Sequence, residues 1–144
     1  MTEWLTKLFE RPVEPLPQFE HPILGRSNWS EDNEAWLGSF NGFSYLLFYE
    51  GQKTPADDLS AYAVRMLSGK EQFLAAINSA KVDGLGAYPL SYSDEIRGLK
   101  LGLVYFYRNE HRLRILADLD GGHDHRAWWV EFLEQRCEGI GFDS

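Results

Sequence analysis

Between Arg112 and Asp120, apolar and polar residues nearly alternate. Leu113, Ile115, Ala117 and Leu119 share one parity, and Arg112, Arg114, Asp118 and Asp120 hold the other. Successive side chains on a strand point to opposite faces, so this segment predicts a strand with one dry face and one charged face. Such a strand belongs to an antiparallel sheet covered on one side and wet on the other, because buried parallel strands are apolar on both faces. Residues 96–108 alternate as well, with Leu99, Leu101, Leu103, Tyr105 and Tyr107 on one parity. Val104 and Phe106 on the other parity predict a strand covered on both sides at its centre. Residues 126–134 predict a last long strand, and 139–142 a short edge.

The first third reads as a meander. Residues 23–30 and 34–40 flank the polar turn Glu31-Asp32-Asn33, and Asn41-Gly42 is a strong two-residue turn signal leading into a strand over 43–50. Thr54-Pro55-Ala56-Asp57-Asp58 then predicts a helix start, with Thr54 as cap, Pro55 in the first helical position and two carboxylates at the positive end of the dipole. Leu59, Tyr62, Ala63, Met66 and Leu67 continue one face. Ser68 and Glu71 have capping-box spacing and predict a second helix, with Phe73, Leu74, Ile77 and Ala80 as its stripe and an end near Asp83-Gly84. Residues 84–94 read as a loop. At the N-terminus, Trp4, Leu5, Leu8 and Phe9 fall at helical spacing ahead of Pro12, Pro15, Pro17 and Pro22. A short helix followed by a stiff, extended arm docked on the body is the expectation there.

Strands, then helices, then strands imply an α+β fold. The expected architecture is a single-layer antiparallel sheet of about six strands with two central helices on one face. Residues 1–22 form the N-terminal helix and Pro-rich arm, and 23–144 a single domain.

Charge narrows the partners. The chain of 144 residues carries a formal charge of −8. Nucleic acid and anionic membranes are bound by clustered cations, and the basic residues here are scattered, so neither is expected. A partner steered by charge is basic. Cys137 is the only cysteine, which rules out an intramolecular disulfide and a thiolate metal cluster. With no secretory leader and no run near the ~20 apolar residues of a membrane helix, the expected location is the cytoplasm.

Candidate chemistry is sparse. His123-Asp124-His125 follows Asp118 and Asp120, and an H-x-H pair brought to one side of a turn can converge on zinc or iron, making His123, His125 and Asp120 the metal candidates. Polar residues around Gly121-Gly122 are equally what a solvated turn uses, and that reading is favoured. Nucleophile elbow, Ser-x-x-Lys, P-loop and dinucleotide signatures are all missing. No catalytic residue and no cofactor is assigned, and binding is favoured over catalysis. Adjacent Trp128 and Trp129 on one strand must face opposite sides, so one packs on the helices and the other is available to an arm or a partner.

In size, in the sheet–helices–sheet order, in Trp36-Leu37-Gly38 within an early hairpin, and in the terminal Gly139-Ile140-Gly141-Phe142-Asp143, the chain resembles small acidic bacterial α+β proteins of the toxin-immunity type. That resemblance implies direct binding to a toxin and carries no residue roles across. The function expected is a non-catalytic protein-binding domain whose acidic surface docks a basic protein through Glu31, Asp32, Glu34 and one of Trp128 or Trp129. A metal-binding protein or metal-dependent hydrolase is the first alternative, and a structural homo-oligomer such as a homodimer the second.

Overall fold

The computed structural model describes residues 18–123 and 126–143. Eight strands form one sheet in which spatial order follows chain order. They are β1 (Phe19–His21), β2 (Gly25–Ser30), β3 (Ala35–Phe40), β4 (Phe43–Phe48), β5 (Lys100–Asn109), β6 (Arg112–Asp120), β7 (Ala127–Leu133) and β8 (Arg136–Asp143). Neighbours are antiparallel throughout except β4 and β5, which run parallel. Parallel neighbours cannot be joined by a tight turn, so a long crossover must intervene. That crossover holds the three described helices, α1 (Asp57–Ser68), α2 (Lys70–Ala87) and α3 (Ser93–Gly98), with a 3₁₀ turn at Leu90–Tyr92 before the last.

The expected six-stranded antiparallel sheet with two helices is thus corrected to a mostly-sheet fold, eight strands in a mixed sheet with three helices. Each departure has a local cause. β1 is three residues long and lies inside the stretch read as a Pro-rich arm; Pro17 and Pro22 bracket it, as suits a short edge strand. α1 begins at Asp57 after Ala56, with no side-chain cap, so Thr54 is outside the helix, although Asp57 and Asp58 do occupy the first turn. The capping box at Ser68 is also unmade, because Gly69 precedes α2 without a side-chain cap. α2 runs past Gly84, which is not a stop but a contact. A Cβ there would sit 2.8 Å from Ile140 Cγ2, so glycine lets α2 lie close on β8. α3 takes in the end of the expected 84–94 loop and the start of the expected 96–108 strand, and its six residues carry too short a stripe to announce a helix.

β5 shows how a bulge defeats parity. Its register against β6 shifts between Leu101 and Val104, so one extra residue turns the alternation over. Leu99 and Leu101 therefore join Val104 and Phe106 on the helix-covered face. Leu103, Tyr105 and Tyr107 take the other face.

The core lies between that covered face and the helices. Leu59, Tyr62, Ala63 and Leu67 of α1, Phe73, Ile77 and Ala80 of α2 and Ile96 of α3 pack on Tyr45, Leu47, Val104, Phe106, Ile115, Ala117, Trp128, Val130 and Phe132. Burying each large side chain contributes about 1.5–3 kcal/mol. Polar ties fix the layers: Tyr62 Oη donates to the Glu134 carbonyl at 2.5 Å, and Tyr88 Oη to the Ile140 carbonyl at 3.0 Å. On the opposite face the pairings place Leu46, Phe48, Leu103, Tyr105, Tyr107, Leu116 and Trp129, and none of the described helices covers it. None is long and apolar enough to cross a membrane.

Asn41 and Gly42, at φ 54° and 84°, form the β3–β4 turn anticipated from their sequence. Glu110 and His111 do the same work between β5 and β6, at φ 53° and 65°, without glycine. A left-handed non-glycine residue carries a cost of roughly 1–2 kcal/mol. His111→Gly should accordingly raise the unfolding free energy by about 1 kcal/mol, because glycine meets no Cβ clash in this turn; urea denaturation with an unchanged m-value reads this.

Candidate functional site

The turn between β2 and β3 carries Glu31, Asp32 and Glu34. It closes through the Glu34 amide donating to the Glu31 carbonyl at 3.3 Å, with Asn33 Nδ2 donating to Ser30 Oγ at 3.0 Å. Pairing across this hairpin sets Trp29 opposite Trp36, so both indoles project from the same face. Their rings meet edge to face at 5.1 Å, and Tyr49 joins them at 5.6 and 6.2 Å. The Tyr49 amide donates to the Glu34 carbonyl at 3.0 Å, which ties the end of β4 to the acidic turn. Trp36 is fully buried, whereas Trp29 and Tyr49 are half-buried. Trp29 Nε1 donates to the Glu31 carboxylate at 2.6 Å, so the acidic rim and the aromatic cluster are one unit.

The aromatic surface continues around the end of the sheet. Phe48 stacks on Tyr105 and meets Tyr107 edge to face, at 6.0 and 6.2 Å. A groove of about 290 Å³ lies between Phe48, Tyr49, Glu50, Tyr107 and Arg108. Arg108 is held there by Glu50 at 2.9 Å and Asp58 at 2.7 Å. Those bonds raise the Arg108 pKa and hold the Asp58 carboxyl below its usual value, so the guanidinium is shared between two carboxylates. This end of the sheet is an aromatic patch with a carboxylate rim.

The two tryptophans expected to accompany the acids lie elsewhere. Trp128 is fully buried, packed by Tyr88, Tyr92 and Phe142, and is inaccessible to a partner. Trp129 projects from the opposite face, paired with Asp118 on one side and Gly141 on the other. β7 is five strands from β2, roughly 24 Å at about 4.8 Å per step. The acids and Trp129 therefore do not form one contact surface. Trp29 and Tyr49 take the place expected of Trp128 or Trp129. The expected three-residue turn Glu31-Asp32-Asn33 would set Trp29 opposite Ala35; the observed turn includes Glu34, and that one extra residue puts Trp29 opposite Trp36.

The third region is the connection from β6 to β7. Glu95, on α3, is almost wholly buried and surrounded by donors. Arg126 Nε and Nη2 approach its oxygens at 3.0 and 2.6 Å, Trp128 Nε1 at 2.5 Å, and the His123 amide at 3.2 Å. Arg126 in turn lies 4.3 Å from the Tyr92 ring centre. The bonds from Arg126, Trp128 and His123 outweigh burial and pull the Glu95 pKa down to about 2. His123 Nε2 is 3.4 Å from the same carboxylate and its ring is largely exposed. Among the described residues, no three or more His, Cys, Asp or Glu side chains are grouped so as to hold a metal ion. Asp120 lies over Gly102, close to Asp118, whose carboxyl is pushed up by burial and by the Asp120 charge. His125 is outside the described residues. Cys137 is half-buried, and burial raises its thiol pKa, which disfavours the thiolate.

Comparison with protein-family models, with curated proteins and with solved structures finds no match to this chain.

Two outcomes are expected. Because the Glu95 pKa is depressed in the fold, its stabilisation is complete above the ordinary value of 4.5 and is lost as pH falls towards about 2. Unfolding free energy should therefore fall over that window, and Glu95→Gln should flatten the slope in a pH series of urea melts. At the sheet end, Trp36→Ala should destabilise by about 3–5 kcal/mol, while Asp32→Lys in the exposed turn stays within about 0.5 kcal/mol by the same measurement.

Proposed function

We propose that this chain is a non-catalytic protein-binding domain and that it docks a basic protein at the acid-rimmed aromatic end of the sheet. The observation that carries the reading is the Trp29–Glu31 bond within the Trp29, Trp36 and Tyr49 cluster: half-buried aromatic rings stand beside carboxylates in a turn that presents Glu31 and Asp32 to solvent. Aromatic side chains supply desolvated contact area with little rotamer entropy to lose, and tryptophan and tyrosine dominate binding energy at protein interfaces. Carboxylates around them favour arginine and lysine on the partner, through ion pairs at the rim and cation–π contacts over the rings. The net charge of −8 adds long-range steering toward such a partner. An inhibitor that neutralises a basic toxin by occupying it, as the immunity resemblance implies, is the specific form of this reading.

Recovery of a stoichiometric partner on the tag-free protein from its native lysate supplies the ligand, and variants supply the test. Trp29→Ala should weaken binding about tenfold or more, the effect of removing an interface anchor of at least about 1.4 kcal/mol. Glu31→Lys with Asp32→Lys should slow association and reduce its salt dependence, whereas Trp129→Ala should leave both unchanged. A partner held equally by all these variants, or recovery of none, overturns the reading.

A further inference from the structure

Two adjoining cavities open between the α1–α2 junction and the turn from β7 to β8. The first, of about 350 Å³, is walled by Met66, Phe73, Ala76 and Phe132, with Gln72 at its side. The second, of about 400 Å³, is lined by Arg112, Leu113, Leu133, Glu134 and Arg136. Arg65 and Gln135 line both, so together they make one groove with an apolar half and a cationic half. Each volume falls in the range of about 300–1,000 Å³ typical of small-molecule sites. The bond from Tyr62 Oη to the Glu134 carbonyl ties the turn to α1, so both walls are held.

Three guanidinium groups against one carboxylate reverse the balance of a chain whose formal charge is −8. Little around them offsets that charge. Arg65 lies over the Tyr62 ring at 5.8 Å and makes no ion pair among the described residues. Arg112 reaches Glu134 at 3.4 Å and Arg136 reaches Glu138 at 3.3 Å, both long pairs between side chains open to water. Pairs of this kind hold weakly and exchange for a better acceptor. Guanidinium forks match phosphate oxygens two at a time, and a phosphate monoester carries about −1.5 to −2 at pH 7. That charge balances the excess of two positive charges along the groove, whereas a carboxylate supplies half of it. We propose that the groove binds an organic phosphate monoester, its phosphate on Arg65, Arg112 and Arg136 and its apolar group against Met66, Phe73 and Ala76. β7 stands five strands from β2, so this site is independent of docking at the acidic turn.

Titration calorimetry of the full chain with hexyl phosphate, inorganic phosphate and hexanoate tests both halves of the groove. Hexyl phosphate should bind one per chain. Inorganic phosphate lacks the apolar group and hexanoate lacks the second charge, so each should bind at least about tenfold more weakly. Arg65→Gln and Arg136→Gln should each weaken hexyl phosphate about tenfold by removing a charge-assisted hydrogen bond. Both side chains are exposed, so neither change disturbs the core. Arg26→Gln removes the same charge from exposed β2 and should leave binding as it was. Amide shifts on titration should fall on Gly69, Gln72, Ala76 and Gln135. No binding of hexyl phosphate overturns the proposal, and so do equal losses in Arg65→Gln and Arg26→Gln, the mark of attraction without a site. Inorganic phosphate or hexanoate binding as tightly as hexyl phosphate overturns it as well, as do shifts confined to other residues.

Discussion

Parallel pairing of β4 with β5 is the constraint from which the rest of the architecture follows. Six of the seven connections between neighbouring strands join antiparallel pairs, but two adjacent strands running the same way need a chain that crosses the sheet. α1, α2 and α3 are all placed in that one crossover, so they collect on a single face and share one core with Val104, Phe106, Trp128 and Phe132. The other face is left to whatever else the chain or a partner supplies. Strand order equal to chain order, with only one crossing, also keeps both sheet edges made of terminal strands, β1 and β8.

Glu95 then locks the end of the crossover. α3 has six residues, too few to stand alone. Its carboxylate gathers donors from Arg126, Trp128 and the His123 backbone, all belonging to the β6–β7 side of the sheet. A buried charge is tolerable only when such donors replace water. The start of the His-rich turn is tied to the same carboxylate, which accepts from the His123 amide as well as from Arg126 and Trp128. Trp128 shares the core face with Val130 and Phe132, and its indole N–H is satisfied there by the Glu95 carboxylate.

At the sheet end the same economy of elements produces a surface. The β2–β3 turn holds the carboxylates, cross-strand pairing brings Trp29 beside Trp36, and a backbone bond from Tyr49 to Glu34 closes the cluster. Each part is local in sequence or one strand apart. The groove that continues it past Phe48 to Tyr107 depends on the β4–β5 contact, which joins residues more than fifty positions apart in the chain.

Several features were determined by the sequence itself, because they arise from neighbours. The dry and charged parities of β6, the Asn41-Gly42 turn, the acidic first turn of α1 and the apolar stripes of α1 and α2 rest on local geometry and periodicity alone. The acids of the candidate site were legible too, as a polar turn between two apolar runs. Tertiary structure decided the remainder. A bulge at Gly102 and Leu103 reversed the faces of β5, close packing on Ile140 carried α2 through Gly84, and donors distant in the chain hold Glu95 of α3, which spans the junction between an expected loop and an expected strand. It also decided that Trp29 and Tyr49, not Trp128 or Trp129, stand beside the acids. Periodicity reports which side of an element is apolar, whereas register, bulges and buried charges depend on partners distant in the chain, and no local pattern encodes them.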